Sequence, residues 1–513
     1  MSRRGACLLI ALGAGAFFAL ASPPANLYLA LWAGMAVLAF ALGMEALPGR
    51  SSRLRLAFTG SARGLAFGFA ANVVALRFVP DVIARFTTLP WAAGALALAL
   101  LAAFEGTRWM LAAMVCEGAV RLRIPRWAAF PIGVYAGTFV PTVFPWSAAG
   151  GVTPWPVMIQ LADILGERGV TALMALAAGL LAEGVRAASV RRRVVRLSLA
   201  AALPLATAAY GALRMKQIDA RLAAAPHVTV GLVQPSIGAT ERWDAARAES
   251  IMSKLTILTR SAESRGARLT VWPESAYPYV VAHASRRAPI GNLAMLGDGV
   301  RGPVLTGLIL QGGAHEEYNS AAITTADGAL SEPQDKLHLL WFGETVPFAD
   351  RSPWLRRTFA RGTGLVPGGG VVLLRDPATG IRAGVLNCFE DTLPDAGLDV
   401  AQAEPNLLVN VTNDAWFAGS AESELHLRLA TLRAVELRRD LVRAVNFGPT
   451  TWVDASGRVR ARYADAIAGT LIAQPALLDG PPTLYARFGD RPYVTALLVF
   501  ACVMVVQRRR AAG

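Results

Sequence analysis

Lysine, histidine and cysteine are scarce in this 513-residue chain, and each scarcity narrows what it can do. Of four cysteines, Cys7, Cys116 and Cys502 lie in or beside apolar runs. Cys388 is therefore the only thiol in the more polar segment, and no disulfide framework holds that segment together. Composition alone leaves Cys388 as either an inert buried thiol or a nucleophile. The five histidines, His227, His283, His315, His338 and His426, are scattered, and there is no HExxH, CxxC or glycine-rich phosphate loop. A protein-built metal site is not expected, and no cofactor is implied. Lysine falls to three, Lys216, Lys254 and Lys336, beside 47 arginines. Where any cation serves, this chain uses arginine. A lysine kept inside a polar motif, as Lys336 is, suggests a need for a compact ammonium with three rotatable donors. There is no internal repeat and no low-complexity tract.

Apolar residues, by contrast, make up 54% of the chain, too many for one ordinary soluble domain. Apolar runs near the ~20 residues that cross a ~30 Å hydrocarbon core predict a polytopic α-helical membrane bundle of about eight spans. The runs are 5–22, 27–46, 65–80, 91–115, 127–144, 170–185, 194–213 and 494–506. Glu105 and Arg108 fall in the fourth, three residues apart; they either pair on one helix face, the expected reading, or mark where the helix leaves the lipid. Residues 1–22 can also be read as a signal peptide with a cleavage site at Ala19-Leu20-Ala21, which would remove one span.

The net charge of +14 invites a nucleic-acid reading until it is located. Residues 215–491 hold 28 basic and 29 acidic side chains, so the basic excess belongs to the apolar parts and nucleic acid is not an expected partner. Arginines cluster at 3–4, 50–55, 121–126, 186–193 and 508–510, in alternate loops and at both ends. By the positive-inside rule these sites are cytoplasmic and the large polar segment lies outside. Three domains follow: 1–214 with about seven spans, 215–490 extracytoplasmic, and 491–513 with the last span and a cytoplasmic tail.

The polar segment alternates β-rich runs with helical stretches, as an α/β domain does. Strands are expected at Val228–Gln234, Leu269–Trp272, Val304–Leu310, Arg382–Asn387 and Asn406–Thr412. Glu274, Cys388 and the pair Asn413-Asp414 each follow one of them, where such sheets place ligand-binding groups. Glu424–Arg443 has the spacing of an amphipathic helix, with Arg438 and Arg439 on its solvated face.

Several short stretches occur in a telling order: Gln234-Pro235 with Trp243 downstream; Trp272-Pro273-Glu274-Ser275; Asp335-Lys336 followed by Phe342-Gly343-Glu344; Asn387-Cys388-Phe389-Glu390-Asp391; Asn413-Asp414-Ala415-Trp416-Phe417; and residues 483–490. Together they resemble the apolipoprotein N-acyltransferases, over essentially the whole chain. The resemblance implies a nitrilase-like domain, an α-β-β-α sandwich, outside the bacterial inner membrane in the periplasm. It implies two lipid substrates: a phospholipid acyl donor and a diacylglyceryl lipoprotein whose N-terminal amine accepts the chain. A monomer in the bilayer is expected. In this reading Glu274, Lys336 and Cys388 are catalytic. Glu344 resembles the second glutamate of such sites; otherwise it is a surface carboxylate after a turn. Glu390 is either a structural acceptor or part of the pocket. Asn413 and Asp414 order the loop, and Trp416 and Phe417 are core or substrate contacts. Two departures stand out. Phe389 occupies a position often held by tyrosine, and residues 418–424 lack a glycine-proline and paired histidines, with only His426 matching that part.

The chemistry can be rebuilt without the resemblance. Moving an acyl group from an ester to an amine through a thiol needs a nucleophile, a proton shuttle and a donor for the oxyanion. Cys388, Glu274 and Lys336 supply one of each. Because each buried CH₂ is worth about 0.8 kcal/mol, a pocket opening at bilayer level avoids extracting a diacyl lipid into water. Leu339, Leu340, Trp341 and Phe342, then Trp354, Leu355 and Phe359, suit such a mouth, with Arg356 and Arg357 for phosphate; otherwise they form a hydrophobic core loop with a solvated arginine pair. Phe144-Pro145-Trp146 is expected to face it too. The rival readings are a membrane-tethered nitrilase-type amidase, in which water resolves the acyl-enzyme, and a polytopic receptor or transporter whose soluble domain only binds ligand.

Overall fold

The computed structural model describes residues 3–44, 53–87, 89–313, 316–341, 343–346, 348, 351–358, 364–464 and 466–510. These divide into two units, Met1–Arg214 with Phe488–Gly513, and Met215–Arg487.

The first unit is helical. Three of its helices are long and apolar enough to cross a membrane: Trp91–Arg121, Ala162–Arg186 and Val190–Ala224. A fourth span exists if Gly60–Ala75 and Val79–Arg85, bent by 53°, count as one. The shorter apolar helices Gly5–Ala19, Ala30–Leu42 and Arg491–Val503 fall below membrane length, so eight spans exceed what these helices account for. The expected run 65–80 crosses that bend, where Pro80 opens the second helix and cannot extend the first. The expected run 127–144 stops early, as helix Arg126–Gly137. Pro141 and Pro145 lack the N–H that a continuing helix needs and disfavour helical geometry in the residues before them. Glu105 takes over there. Its Oε1 accepts the backbone N–H of Val143 at 2.6 Å and of Phe144 at 3.1 Å, while Arg108 donates to the Trp146 carbonyl at 2.8 Å. Glu105 and Arg108 still act on each other electrostatically, and each also bonds the non-helical segment that follows Gly137.

Close helix contact depends on small residues. A Cβ on Gly133 would lie 2.1 Å from the Ala112 carbonyl oxygen, so only glycine permits that crossing. Phe18, Phe67, Trp109 and Trp146 stack edge-on or tilted at the centre of the unit. The final helix, Arg491–Arg510, is tied in through Asp490, which accepts from Tyr135 at 2.9 Å and pairs with Arg168 at 2.6 Å.

The second unit is built on strands β1 (Val230–Gln234), β2 (Leu269–Val271), β3 (Val281–Ala282), β4 (Val304–Gln311), β5 (Glu317–Thr324), β6 (Gln334–Asp335), β7 (Leu374–Asp376), β8 (Ile381–Asn387), β9 (Leu407–Asn413), β10 (Leu441–Asn446), β11 (Thr451–Val453), β12 (Val459–Arg462) and β13 (Gly469–Ala473). They form two sheets, ordered β13-β1-β2-β4-β5-β6 with β3 beside β4, and β12-β11-β10-β9-β8-β7. Residue parity explains the layering. Ile381, Ala383 and Val385 of β8, Leu407, Val409 and Val411 of β9, and Val442 and Ala444 of β10 join Val230, Leu232, Val271, Leu305 and Ala321 in one core between the sheets. Their neighbours Leu386, Leu408 and Leu441 face the other way, onto helices Pro394–Gln402 and Glu422–Leu437. On the far side Val233 and Val304 pack on helix Ala248–Ser264. The result is an α-β-β-α sandwich.

The expected amphipathic helix 424–443 is two elements. It runs Glu422–Leu437, turns at Arg438 with φ 51°, and becomes β10, a central strand between β9 and β11. Arg438 and Arg439 are not on a solvated face. They are 1% and 5% exposed; Arg438 donates to the Ala455 carbonyl and Arg439 to those of Pro405, Leu437 and Arg438, buried acceptors that need donors.

Candidate active site

The three residues expected to do the chemistry follow strands of the two sheets: Glu274 follows β2 and Lys336 follows β6 in one, and Cys388 follows β8 in the other. The turn carrying Glu274 lies against β4 so closely that a Cβ on Gly307 would sit 2.5 to 2.7 Å from Pro273, Glu274 and Ser275 atoms. Buried Arg242 holds that turn, donating to the carbonyls of Ser275 and of Tyr277.

Lys336 is 1% exposed. Its Nζ lies 2.8 Å from both oxygens of Glu344 and 3.3 Å from Glu274 Oε1. Burial works against the ammonium, but the Glu344 and Glu274 carboxylates outweigh it and hold the lysine pKa above its usual value. Asn319, in β5, bridges the two acids, its Nδ2 donating to Glu274 Oε1 at 2.7 Å and Glu344 Oε1 at 2.8 Å. Its carbonyl accepts the Lys336 N–H at 2.8 Å. The Asn319 side-chain oxygen accepts from Asn387 Nδ2 at 3.1 Å, which joins one sheet to the other next to the cysteine.

Cys388 has φ 53°, a left-handed backbone that costs a non-glycine residue about 1–3 kcal/mol and is often found at working sites. Burial and the Glu274 carboxylate push its thiol pKa well up, with Lys336 opposing, so the resting thiol is protonated. The Phe389 ring lies 5.3 Å from Lys336 Nζ and offers the ammonium an aromatic face where a hydroxyl had been a possibility. Glu390 is a structural acceptor. Its Oε1 takes the N–H groups of Leu337 and His338 at 2.7 and 2.9 Å, and its Oε2 takes that of Asn387 at 2.8 Å. It therefore ties the lysine segment to the cysteine turn. Burial raises its pKa, with Lys336 opposing.

The remaining expected residues are less central. Asn413 orders its loop by accepting from the Ala415 N–H and from Asn446 Nδ2. Trp416 is half-buried beside it. Trp243, 57% exposed, stacks under Arg242 and lines a cavity of about 170 Å³ with Tyr279, Ile309 and Glu317. Glu274, Lys336 and Cys388 are not among its walls. Trp341 is 43% exposed. Trp146 is buried in the helical unit, its indole donating to Asn72, so its packing is already committed there. Phe342, Phe359 and the side chain of Arg356 lie outside the described residues.

Asn319 and Asn410 escaped the sequence reading, and Asn387 entered it only as part of the cysteine motif, with no role of its own. The one available signal was asparagine inside a strand, where it is depleted unless it has a task. Among the described residues one group, Asp414, Glu422 and His426, brings potential metal-binding atoms within 4.8 Å of one another. Arg443 bonds the same network through Asp391, 3.0 Å away, and His426 Nε2 lies 2.7 Å from Asp391. Internal charge pairing accounts for this group without an ion.

Residues 14–180 match the apolipoprotein N-acyltransferase N-terminal domain, and residues 229–477 match the carbon-nitrogen hydrolase domain. An apolipoprotein N-acyltransferase of Geobacter metallireducens is 30% identical over 96% of this chain and 93% of its own length. The chain belongs to the apolipoprotein N-acyltransferase family. Members from Brucella melitensis and Allorhizobium ampelinum are 31% and 33% identical over 90% and 88% of this chain, and 88% and 86% of their own lengths. Of solved structures, a carbon-nitrogen hydrolase from Helicobacter pylori aligns at 14% identity and TM-score 0.37, covering 48% of this chain and 89% of its own. An amidase from Nesterenkonia aligns at 18% and 0.37, covering 53% and 96%. As in its family, this N-acyltransferase joins an apolar helical region to a carbon-nitrogen hydrolase domain, and its helices of membrane length are those of a multi-pass membrane protein.

Proposed function

We propose that this chain moves an acyl group from a phospholipid to the N-terminal amine of a diacylglyceryl-cysteine lipoprotein through a thioester on Cys388. The observation that carries the reading is a buried ammonium, Lys336, fixed between Glu274 and Glu344 and acting electrostatically on a strained cysteine. Because the thiol rests protonated, it needs a base at the moment of attack, and Glu274 is the carboxylate acting on it. Glu274 takes the thiol proton as sulfur bonds to the ester carbonyl carbon. The oxyanion that forms is met by Lys336. The C–O bond then breaks, and Glu274 returns the proton to the departing lysophospholipid oxygen. In the second half the amine nitrogen attacks the thioester, Glu274 accepts its proton, and as the C–S bond breaks Glu274 passes that proton to the sulfur, which restores the thiol and the carboxylate. Glu344, Asn319 and Glu390 hold Lys336 in place, and Phe389 backs it. Trp341 belongs to the lipid-facing rim and Trp243 is a supporting substrate contact, with Trp416 and Asn413 shaping the loop beside the cysteine.

The same reading sets eight spans, both chain ends in the cytoplasm, and the catalytic domain in the periplasm of a monomer in the inner membrane. Its support is the arginine pattern and the small net charge of residues 215–491. The test is to incubate purified protein with acyl-labelled phospholipid. A cysteine-linked acyl-enzyme that persists until an amine acceptor arrives is expected, and Cys388→Ala should form none. Free fatty acid released without acceptor would instead indicate the hydrolase reading.

A further inference from the structure

Behind Cys388, on the side away from Lys336, lies a buried network that the acyl-transfer steps do not use. The Cys388 carbonyl oxygen is clamped twice. Asn410 Nδ2 donates to it at 2.9 Å and to the Leu386 carbonyl at 2.8 Å, and His426 Nε2 lies 3.3 Å from it. His426 comes from helix Glu422–Leu437 and is 3% exposed. Its Nε2 also faces Asp391 Oδ1 at 2.7 Å, and its Nδ1 faces Asp414 Oδ1 at 3.4 Å and Glu422 Oε1 at 3.9 Å. Asp391, which is fully buried, takes Arg443 Nε at 3.0 Å on its other oxygen.

The acceptors around both ring nitrogens decide the protonation state. Each nitrogen faces a carboxylate, so each does best carrying a proton. Burial alone would lower the pKa of His426, but Asp391 and Asp414 raise it to about 10. Glu422 is pushed up to about 8, by burial first and then by Asp414. With Glu422 neutral, the charges of His426 and Arg443 match those of Asp391 and Asp414. The network touches the Cys388 backbone at its carbonyl, and the Asp414 carboxylate also acts electrostatically on the thiol.

We propose that His426 is a positioning residue for the nucleophile: anchored between Asp391 and Asp414, it pins the Cys388 carbonyl and so holds the left-handed backbone that aims the thiol at the acyl carbon. The reasoning is geometric. A left-handed cysteine persists only while its surroundings over-determine it. Cys388 opens the short 3-10 turn Cys388–Thr392, and Asn410 and His426 are the two side chains that hold its carbonyl; without His426 that hold is weaker, and a fraction of an ångström at the sulfur is enough to lose the attack geometry. This inference rests on Cys388 being the nucleophile.

The test uses full-length enzyme in phospholipid vesicles, with single-turnover acylation measured against phospholipid concentration. His426→Leu keeps the volume and removes both N–H groups. It is expected to lower the limiting acylation rate about 10²-fold, as a misplaced reacting group does, while the half-saturating phospholipid concentration stays within about twofold. His426→Gln restores a donor near the Nε2 position and is expected to recover most of that loss. A merely structural residue would not show this split together with rescue by glutamine. Should His426→Leu not fold, Asp391→Asn, which keeps shape but releases the imidazole, is expected to give the same rate loss at unchanged half-saturation. Acylation at the wild-type rate in a folded His426→Leu or Asp391→Asn protein overturns the inference. A loss in His426→Gln as large as in His426→Leu, or one seen only in half-saturation, overturns it too. Cys388→Ala run in parallel separates the two readings: if it still acylates, the thioester mechanism itself fails.

Discussion

Replacing Lys336 by arginine keeps the charge and changes its shape. The ammonium is 1% exposed, within 2.8 Å of both Glu344 oxygens and 3.3 Å of Glu274, with the Phe389 ring 5.3 Å away. A planar guanidinium is larger and its donors point in fixed directions, so it can satisfy Glu344 only by moving away from the place where the oxyanion forms. Overpacking of this kind typically costs about 1–3 kcal/mol of stability. The larger effect is on rate. Loss of one well-placed oxyanion donor costs ~10²–10³, about 3–4 kcal/mol in the transition state, so Lys336→Arg should slow acylation of Cys388 by at least that factor. The matching control is Lys254→Arg, the same exchange at an exposed position of helix Ala248–Ser264, which should change little. Single-turnover acylation by labelled phospholipid, with folding checked by near-ultraviolet circular dichroism, measures both. Acylation by Lys336→Arg within a few-fold of wild type would mean that charge alone matters, and the oxyanion role would have to be withdrawn.

Asn319→Leu removes both N–H bonds that separate Glu274 from Glu344. At about 1.5 kcal/mol or more for a hydrogen bond to a charged group, acylation should fall roughly tenfold or further; an unchanged rate constant would show that Lys336 alone organises the acids. The stability contributed by His426 should depend on pH. Its folded pKa, about 10, stands above the unfolded value near 6.5, so the contribution is fully present below about 6.5 and lost as pH rises towards 10. The urea midpoints of wild type and His426→Gln should therefore converge over that window, whereas a constant gap would refute a protonated imidazole. Reporter fusions after Lys216 and after Arg510 should report opposite faces of the membrane; finding both on one face would refute the eight-span topology.

Much of the site could be read from the chain order. Glu274 and Cys388 were singled out because each follows an expected strand inside a motif, whereas Lys336 came from its motif alone, with no strand expected before it. Lys336 stood out further as one of three lysines among 47 arginines. What holds these groups in place was not legible. Asn319 sits on β5, a strand without a clean hydrophobic alternation, and it serves the site only because β5 pairs with β4 and β6 beside both acids.

Periodicity misled where helix and strand patterns overlap. Residues 424–443 carry leucines and valines at spacings a helix can use, yet the chain turns left-handed at Arg438 and continues as a buried central strand. Two arginines that looked solvated are interior donors, since burial is a property of what packs on a residue and not of its type. The sequence by itself determined the apolar and polar halves, the side chains able to do acyl chemistry, and the alternation that buries one face of each strand. The tertiary structure decided how Glu344 and Glu274 share one ammonium, that Glu390 is a brace between two segments, and that His426 reaches the Cys388 carbonyl. Those are contacts between residues 8 to 62 positions apart in the chain, and no local pattern encodes them because their energies arise only when two sheets and a helix bring the groups into one desolvated place.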